Sequence, residues 1–151
     1  MFENKNIALA LEENAIRRGP HPAIIEGAKT ITYQELDPMV RRVAGHLADQ
    51  GVGEGSIIGV CLPDCADHLM INYAVARLGA VILPLDWRWT EVEKTNVAAF
   101  FKVSLIVGLP ESELAAFSFI SVDEAWHEAV GARAPDTACA SGGDRPVVLS
   151  L

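Results

Sequence analysis

Ser56-Ile-Ile-Gly-Val-Cys-Leu62 is almost wholly apolar, and its reading decides the fold. A strand with one wet face alternates apolar and polar residues. A run without alternation needs cover on both faces, the condition of a strand inside a parallel sheet. Pro63-Asp64 breaks the run, and residues 65–78 read as a helix with Leu69, Met70, Tyr73 and Leu78 turned inward. Gly79-Ala80 closes that helix, and Val81 to Leu85 is a second buried strand. Thr90 with Glu93 three residues later is a capping-box signal that opens a helix to about Phe101. Val103–Val107 and Phe117–Val122 read as further strands and Asp123–Val130 as a short helix. This alternation with short connections predicts an α/β fold: a mostly parallel, doubly wound sheet flanked by helices.

Toward the N-terminus, residues 6–18 place Ile7, Leu11 and Ala15 on one helical stripe, stopped by Gly19-Pro20. Pro22–Glu26, Gly27 and Thr30-Ile31-Thr32 then fit a small N-terminal hairpin. Thr32 and Glu35 repeat the capping box, and Leu36, Val40, Val43 and Leu47 give the next helix one buried face before Gly51 ends it. Toward the C-terminus, Gly131 to Asp144 is rich in Ala, Gly, Ser, Asp and Pro, so 131–145 reads as a mobile linker. Pro146 to Leu151 reads as a strand that simply stops. Together with a mean hydropathy of +0.24, high for a free-standing domain, this predicts that 1–151 is an incomplete piece of a larger domain.

The chain has 151 residues, 50% of them hydrophobic and 21% charged, enough for one domain with a real core. Twelve Lys and Arg against 20 Asp and Glu give a net charge of −8. That balance opposes a nucleic-acid or anionic-membrane surface, both of which need clustered positive charge. No Lys or Arg lies between Lys102 and Arg133, while Glu111, Glu113, Asp123, Glu124 and Glu128 do; that stretch reads as a solvated acidic face. The longest charge-free runs, such as His68–Ala76, reach about half of the roughly 18 residues a membrane helix needs. Met-Phe-Glu-Asn-Lys-Asn has no apolar h-region, so no signal peptide is expected. Three cysteines without CxxC spacing argue against a disulfide framework and a zinc site, and a reducing cytoplasm is the expected location.

Gly51-Val-Gly-Glu-Gly55 follows a helix and precedes a strand, the reverse of a phosphate-binding glycine loop, and reads as a helix cap and turn. Cys61 and Cys65 flank a strand end, where parallel sheets form ligand crevices; Cys61 is most simply a small buried residue. His21, His46, His68 and His127 show no ligand spacing, so no metal site is expected. No nucleophile elbow or lysine-bearing phosphate loop is present, and no catalytic residue is assigned. Leu85-Asp86-Trp87-Arg88-Trp89-Thr90 lies after a strand and before a helix, again at the carboxyl edge. Two tryptophans around an arginine can stack a planar base and pair with a phosphate. Equally, they can be core tryptophans with Arg88 paired to Asp86 or Glu91.

Ile31-Thr-Tyr-Gln-Glu-Leu-Asp37, Val43-Ala-Gly-His-Leu47, Gly51 to Val60, Leu62-Pro63-Asp64, Ala74-Val-Ala-Arg-Leu-Gly-Ala-Val81 and Pro84-Leu-Asp-Trp-Arg-Trp-Thr90 follow one another in order. In that order and spacing the chain resembles the opening region of the adenylate-forming enzymes: acyl-CoA synthetases, luciferases and peptide-synthetase adenylation domains. The resemblance covers about residues 5–107. It implies a parent that activates a carboxylic acid with ATP and Mg2+ to an acyl-adenylate and passes the acyl group to a thiol such as CoA. The phosphate loop of such enzymes normally follows a strand resembling Arg145–Leu151, so the resemblance also implies a chain that stops short of its catalytic motifs and is inert alone. Residues 84–90 are closer to the acyl-CoA ligase pattern Pro-Leu-Asn-Pro-Arg-Leu-Thr than to the peptide-synthetase form. This implies that Arg88 meets the CoA nucleotide, with Trp87 and Trp89 beside it. Asp86, Trp87 and Trp89 depart from that pattern, and an acidic Asp86 would oppose a phosphate or clamp Arg88.

The main expectation is therefore a fragment of an ATP-dependent carboxylate:CoA ligase. The alternatives are an adenylation domain loading a carrier protein, and a stand-alone non-catalytic α/β binding module. A cut fragment should also expose apolar surface and self-associate. Fatty, aromatic and small dicarboxylic acids all stay open as substrates.

Overall fold

The computed structural model describes residues 6–140 and 142–150. Helix α1 (Ile7–Arg18) is capped by Asn6, whose side-chain oxygen accepts the Ala8 N–H. Strands β1 (Pro22–Glu26) and β2 (Lys29–Thr32) form an antiparallel hairpin. Its tip sits at Gly27, where φ of +58° suits a residue without Cβ. Helix α2 (Tyr33–Asp49) opens on the Thr32–Glu35 capping box, and Gly51 follows it at φ +85°. Then come β3 (Ile57–Cys61), α3 (Ala66–Arg77), β4 (Val81–Pro84), α4 (Glu91–Phe100), β5 (Leu105–Gly108), β6 (Phe119–Ser121) and α5 (Glu124–Gly131).

The four later strands form one parallel sheet in the order β4-β3-β5-β6. The chain runs from β3 to β4, then crosses back over β3 to β5, so it winds in both directions. Side chains alternate across the sheet. Ile58, Val60, Ile82, Leu105 and Val107 join the core under α1, α2, α3 and α5. Cys61, Leu83 and Ile106 face the other way, against Ala98 of α4 and Leu114. Both faces are covered, as the all-apolar reading of 56–62 requires.

Three expectations change in detail. Leu69 is 38% exposed, and the buried residues of α3 are Ala66, Met70, Ile71, Ala74, Val75, Ala76 and Arg77. The reason is that α3 packs against α1, α2 and the sheet together, so its inward side is wider than one stripe. The strand expected at 146–151 is, over its described part, one parallel bridge: the Val147 carbonyl accepts the Ile82 N–H (2.7 Å), and the Leu149 N–H donates to the Ile82 carbonyl (2.8 Å). Residues 132–140 carry no helix or strand, yet they are tied to the helical layer. The Ala140 N–H donates to the Arg77 carbonyl (2.7 Å), Arg77 Nη2 donates to the Thr137 carbonyl (3.2 Å), and Arg42 Nε donates to the Arg133 carbonyl (3.0 Å). Composition that forbids regular structure does not forbid contacts.

Candidate functional site at the carboxyl edge of the sheet

Parallel strands end together, so loops leaving β3 and β4 share one edge, the usual place for a ligand crevice. Here that edge holds an open cleft of about 640 Å³ whose walls include Leu62, Asp64, His68, Asp86, Trp87 and Arg88. Its far side is the 148–150 segment beside β4.

The loop between β4 and α4 is built by local chemistry. Thr90 caps α4: its hydroxyl accepts the Glu93 N–H (3.3 Å), while Glu93 returns a carboxylate oxygen to the Thr90 N–H (2.8 Å). Asp86 turns the chain in the other direction, its carbonyl accepting the Trp89 N–H (3.0 Å). The same residue's carboxylate takes the Arg88 backbone N–H (2.9 Å), Arg88 Nε (2.9 Å) and Arg88 Nη2 (2.6 Å). Those bonds, the side-chain ones first, hold the Asp86 carboxyl down at about 2 from an ordinary 3.8.

Of the two readings left open by the sequence, the Arg88–Asp86 pair forms, and Glu91 takes no part in it. Arg88 is nonetheless exposed (71% of its side chain), and a guanidinium carries five N–H donors, so those not turned to Asp86 face the cleft and solvent. Trp87 is half exposed at the cleft wall, whereas Trp89 is partly buried and packs on the Leu83–Ile106 cluster. The two indoles thus have different environments: Trp87 offers a face to a ligand, and Trp89 anchors the loop.

Lys94 is a component that the sequence reading missed. It lies on α4, is 6% exposed, and donates its Nζ to the Trp87 carbonyl (2.9 Å). Its charge also acts on Asp86. The only signal was a lysine one turn after the Thr90 cap and four residues before Ala98, on the one side of α4 that is buried. Asp64 also acts on Arg88 across the cleft. Cys65, the residue before α3, has its thiol pushed up by burial, so it is not a ready thiolate. Cys61 is fully buried.

Because Asp86 is depressed, it stabilises this loop fully above 3.8, and the contribution is lost as pH falls through about 2. In a carbon-detected NMR titration the Asp86 carboxyl should move near pH 2; a midpoint at the ordinary value would mean the pair does not form in solution.

Comparison with known proteins places this architecture. The AMP-binding enzyme family matches residues 11–141. The chain belongs to that family. Among curated relatives, phosphinothricin tripeptide synthetase PhsC of Streptomyces viridochromogenes is 41% identical over 76 residues, 50% of this chain and 7% of that protein. Novobiocin biosynthesis protein H of Streptomyces niveus is 38% identical over 85 residues, 56% of this chain and 14% of that protein. Among solved structures, the fused adenylation–PCP protein NpsA-ThdA of Klebsiella oxytoca aligns with a TM-score of 0.88 at 18% identity, over 99% of this chain and 29% of its own. The Mycobacterium tuberculosis fatty acyl CoA synthetase aligns at 0.86 and 19% identity, over 95% of this chain and 32% of its own. The fold is that of the N-terminal subdomain seen in Klebsiella oxytoca NpsA, with a TM-score of 0.86 over 99% of this chain and 38% of that one. The chain thus spans 7% and 14% of these two curated relatives and 29% to 38% of these three solved structures.

Proposed function

We propose that these residues are the N-terminal, incomplete part of the large domain of an ATP-dependent acid–thiol ligase, a cytoplasmic enzyme that forms an acyl-adenylate and passes the acyl group to a thiol. The observation that carries this reading is the AMP-binding match over residues 11–141 on a doubly wound sheet whose loops meet at one edge. Three free cysteines accord with a reducing compartment.

The cleft by itself does not fit a magnesium triphosphate. Arg88 faces Asp64 and is paired to Asp86, so fixed negative charge exceeds positive there. Among the described residues no three His, Cys, Asp or Glu converge as metal ligands. Offsetting the charge of ATP requires donors and a metal, so ATP and Mg2+ are assigned to residues of the parent beyond these. The isolated chain is therefore read as inert, and Val92 and Phe100 on α4, 67% and 79% exposed, give it apolar surface for self-association.

For the acceptor, CoA is the reading that residues 84–90 imply, with Arg88 on a nucleotide phosphate and Trp87 beside it. The Mycobacterium tuberculosis neighbour is named as a CoA synthetase. One geometric observation favours a carrier-protein thiol instead: Asp86 neutralises Arg88, and Asp64 adds a second carboxylate, a setting that repels a multiply phosphorylated nucleotide. PhsC and NpsA-ThdA, by name a peptide synthetase and an adenylation–PCP protein, support that second reading. In a ligase that contains this chain and the sequence downstream of it, Arg88→Ala should raise KM for CoA roughly tenfold with kcat unchanged if the nucleotide sits there. An unchanged KM for CoA removes Arg88 from the acceptor site, and acyl transfer to a phosphopantetheinylated carrier but not to CoA establishes the carrier reading.

A further inference from the structure

Arg77 is the last residue of α3 and is 1% exposed, a charged side chain wholly inside the protein. Burying a guanidinium is costly unless it is paired and hydrogen-bonded. Its Nη1 lies 3.7 Å from a Glu12 carboxylate oxygen of α1, and the same oxygen is 3.1 Å from Arg41 Nη2 on α2. Glu12 is thus shared, and among the described residues neither Nε nor Nη1 of Arg77 makes a hydrogen bond. An apolar side chain of similar volume is often as stable in such a place as an ion pair. What the arginine adds is its remaining nitrogen, Nη2, which reaches out of α3 and donates to the Thr137 carbonyl (3.2 Å).

That bond belongs to a clasp. The Arg77 carbonyl accepts the Ala140 N–H (2.7 Å), and Asn6 Nδ2 donates to the Ala76 carbonyl (2.7 Å) and the Ala140 carbonyl (3.2 Å). Ala140 also lies against Gly79, where an added Cβ would come within 2.9 Å of the Ala140 Cβ. These contacts gather at the C-terminal end of α3, where β4 is about to begin, at the edge of the sheet opposite the cleft. Farther along the chain, residues 147–149 run parallel to β4, and Val148, Leu149 and Ser150 form the cleft's far side. Two backbone hydrogen bonds join them to β4, and both are made at Ile82. A segment held at one residue can pivot there, so its position depends on where the preceding chain is fastened. Arg145 pairs with Glu54 in between, but both side chains are solvated, and a pair of that kind contributes little.

We propose that the clasp at Arg77 positions the far wall of the cleft. By holding Thr137 and Ala140 against the end of α3, it fixes where Val148–Ser150 stand beside β4. Arg77 is a positioning residue in this account, acting from the opposite edge of the sheet. That the wall serves a ligand rests on the ligase reading above; its placement does not.

Amide hydrogen exchange, followed by NMR on the 151-residue chain, tests this because β4 is bonded on both sides. The Ile82 N–H donates to Val147, whereas the Val81 and Leu85 N–H groups donate to the Ser56 and Val60 carbonyls (2.8 and 2.9 Å). Arg77→Met keeps the buried volume and leaves Glu12 paired with Arg41. The Ile82 and Leu149 amides should then exchange roughly tenfold faster, with Val81 and Leu85 unchanged. Ala140→Pro removes the N–H that the Arg77 carbonyl accepts, in a segment without helix or strand, and should give the same pattern. It decides the matter alone if Arg77→Met does not fold. The proposal is overturned if Ile82 and Leu149 keep their protection in either folded variant. It is also overturned if Val81 and Leu85 accelerate equally, because the clasp then supports the sheet as a whole and not the wall. None of these readouts depends on adenylation, so the ligase reading stands or falls separately.

Discussion

Gly108→Val should lower the melting temperature of the chain by about 2–12 °C, or prevent folding outright. Gly108 ends β5 opposite Cys61 of β3. A Cβ placed there would lie 2.8 Å from the Cys61 carbonyl oxygen, 3.1 Å from the Cys61 Cβ and 3.3 Å from the Phe119 ring. The nearest of these is backbone in the middle of a hydrogen-bonded sheet, so nothing can swing aside. The cost is that of overpacking, about 1–3 kcal/mol and occasionally more. In a domain of this size each kcal/mol is worth roughly 2–4 °C. Gly131→Ala is the control, because at the end of α5 an added Cβ meets nothing within 4 Å. Circular dichroism melts of the two variants decide the matter, and equal melting temperatures would show that β3 and β5 do not approach so closely. The consequence reaches the site, since the carboxyl ends of β3 and β4 carry the cleft walls.

The architecture was legible because burial on both faces leaves a plain mark. Ser56–Leu62 and Val81–Leu85 have no polar alternation, and the structure places them as adjacent parallel strands. The capping boxes at Thr32 and Thr90 located two helix starts to the residue, because the reciprocal hydrogen bonds they require are local. Leu69 was misplaced for a non-local reason: α3 has three neighbours, and no window of its own sequence shows how wide its buried side becomes. Likewise, the hydrogen bonds that tie 133–140 to Arg42 and Arg77 cross between segments far apart in sequence.

At the cleft, sequence proximity was enough to raise the Asp86–Arg88 pair as one of two readings, since the residues are two apart. It was not enough to separate Trp87 from Trp89, whose difference is set by the Leu83–Ile106 cluster beneath one of them. Lys94 escaped notice because a buried lysine is rare, and its partner is a carbonyl, which any residue could supply.

Carboxylate-dependent exchange of pyrophosphate into ATP tests the central claim most directly. It should be measured on the 151-residue chain and on the same chain extended through the sequence that follows it in its gene, over a panel of fatty, aromatic and dicarboxylic acids. The claim that this is the N-terminal part of an acyl-adenylate-forming ligase predicts no exchange by the chain alone. It predicts exchange with at least one acid by the extended protein, a difference of several orders of magnitude given typical enzymatic accelerations of about a millionfold or more. Exchange by the 151 residues unaided would contradict the account, since Arg88 between two carboxylates would then be handling a triphosphate that its surroundings repel. So would an extended protein that exchanges with no acid, which would leave the fold in place and remove the chemistry.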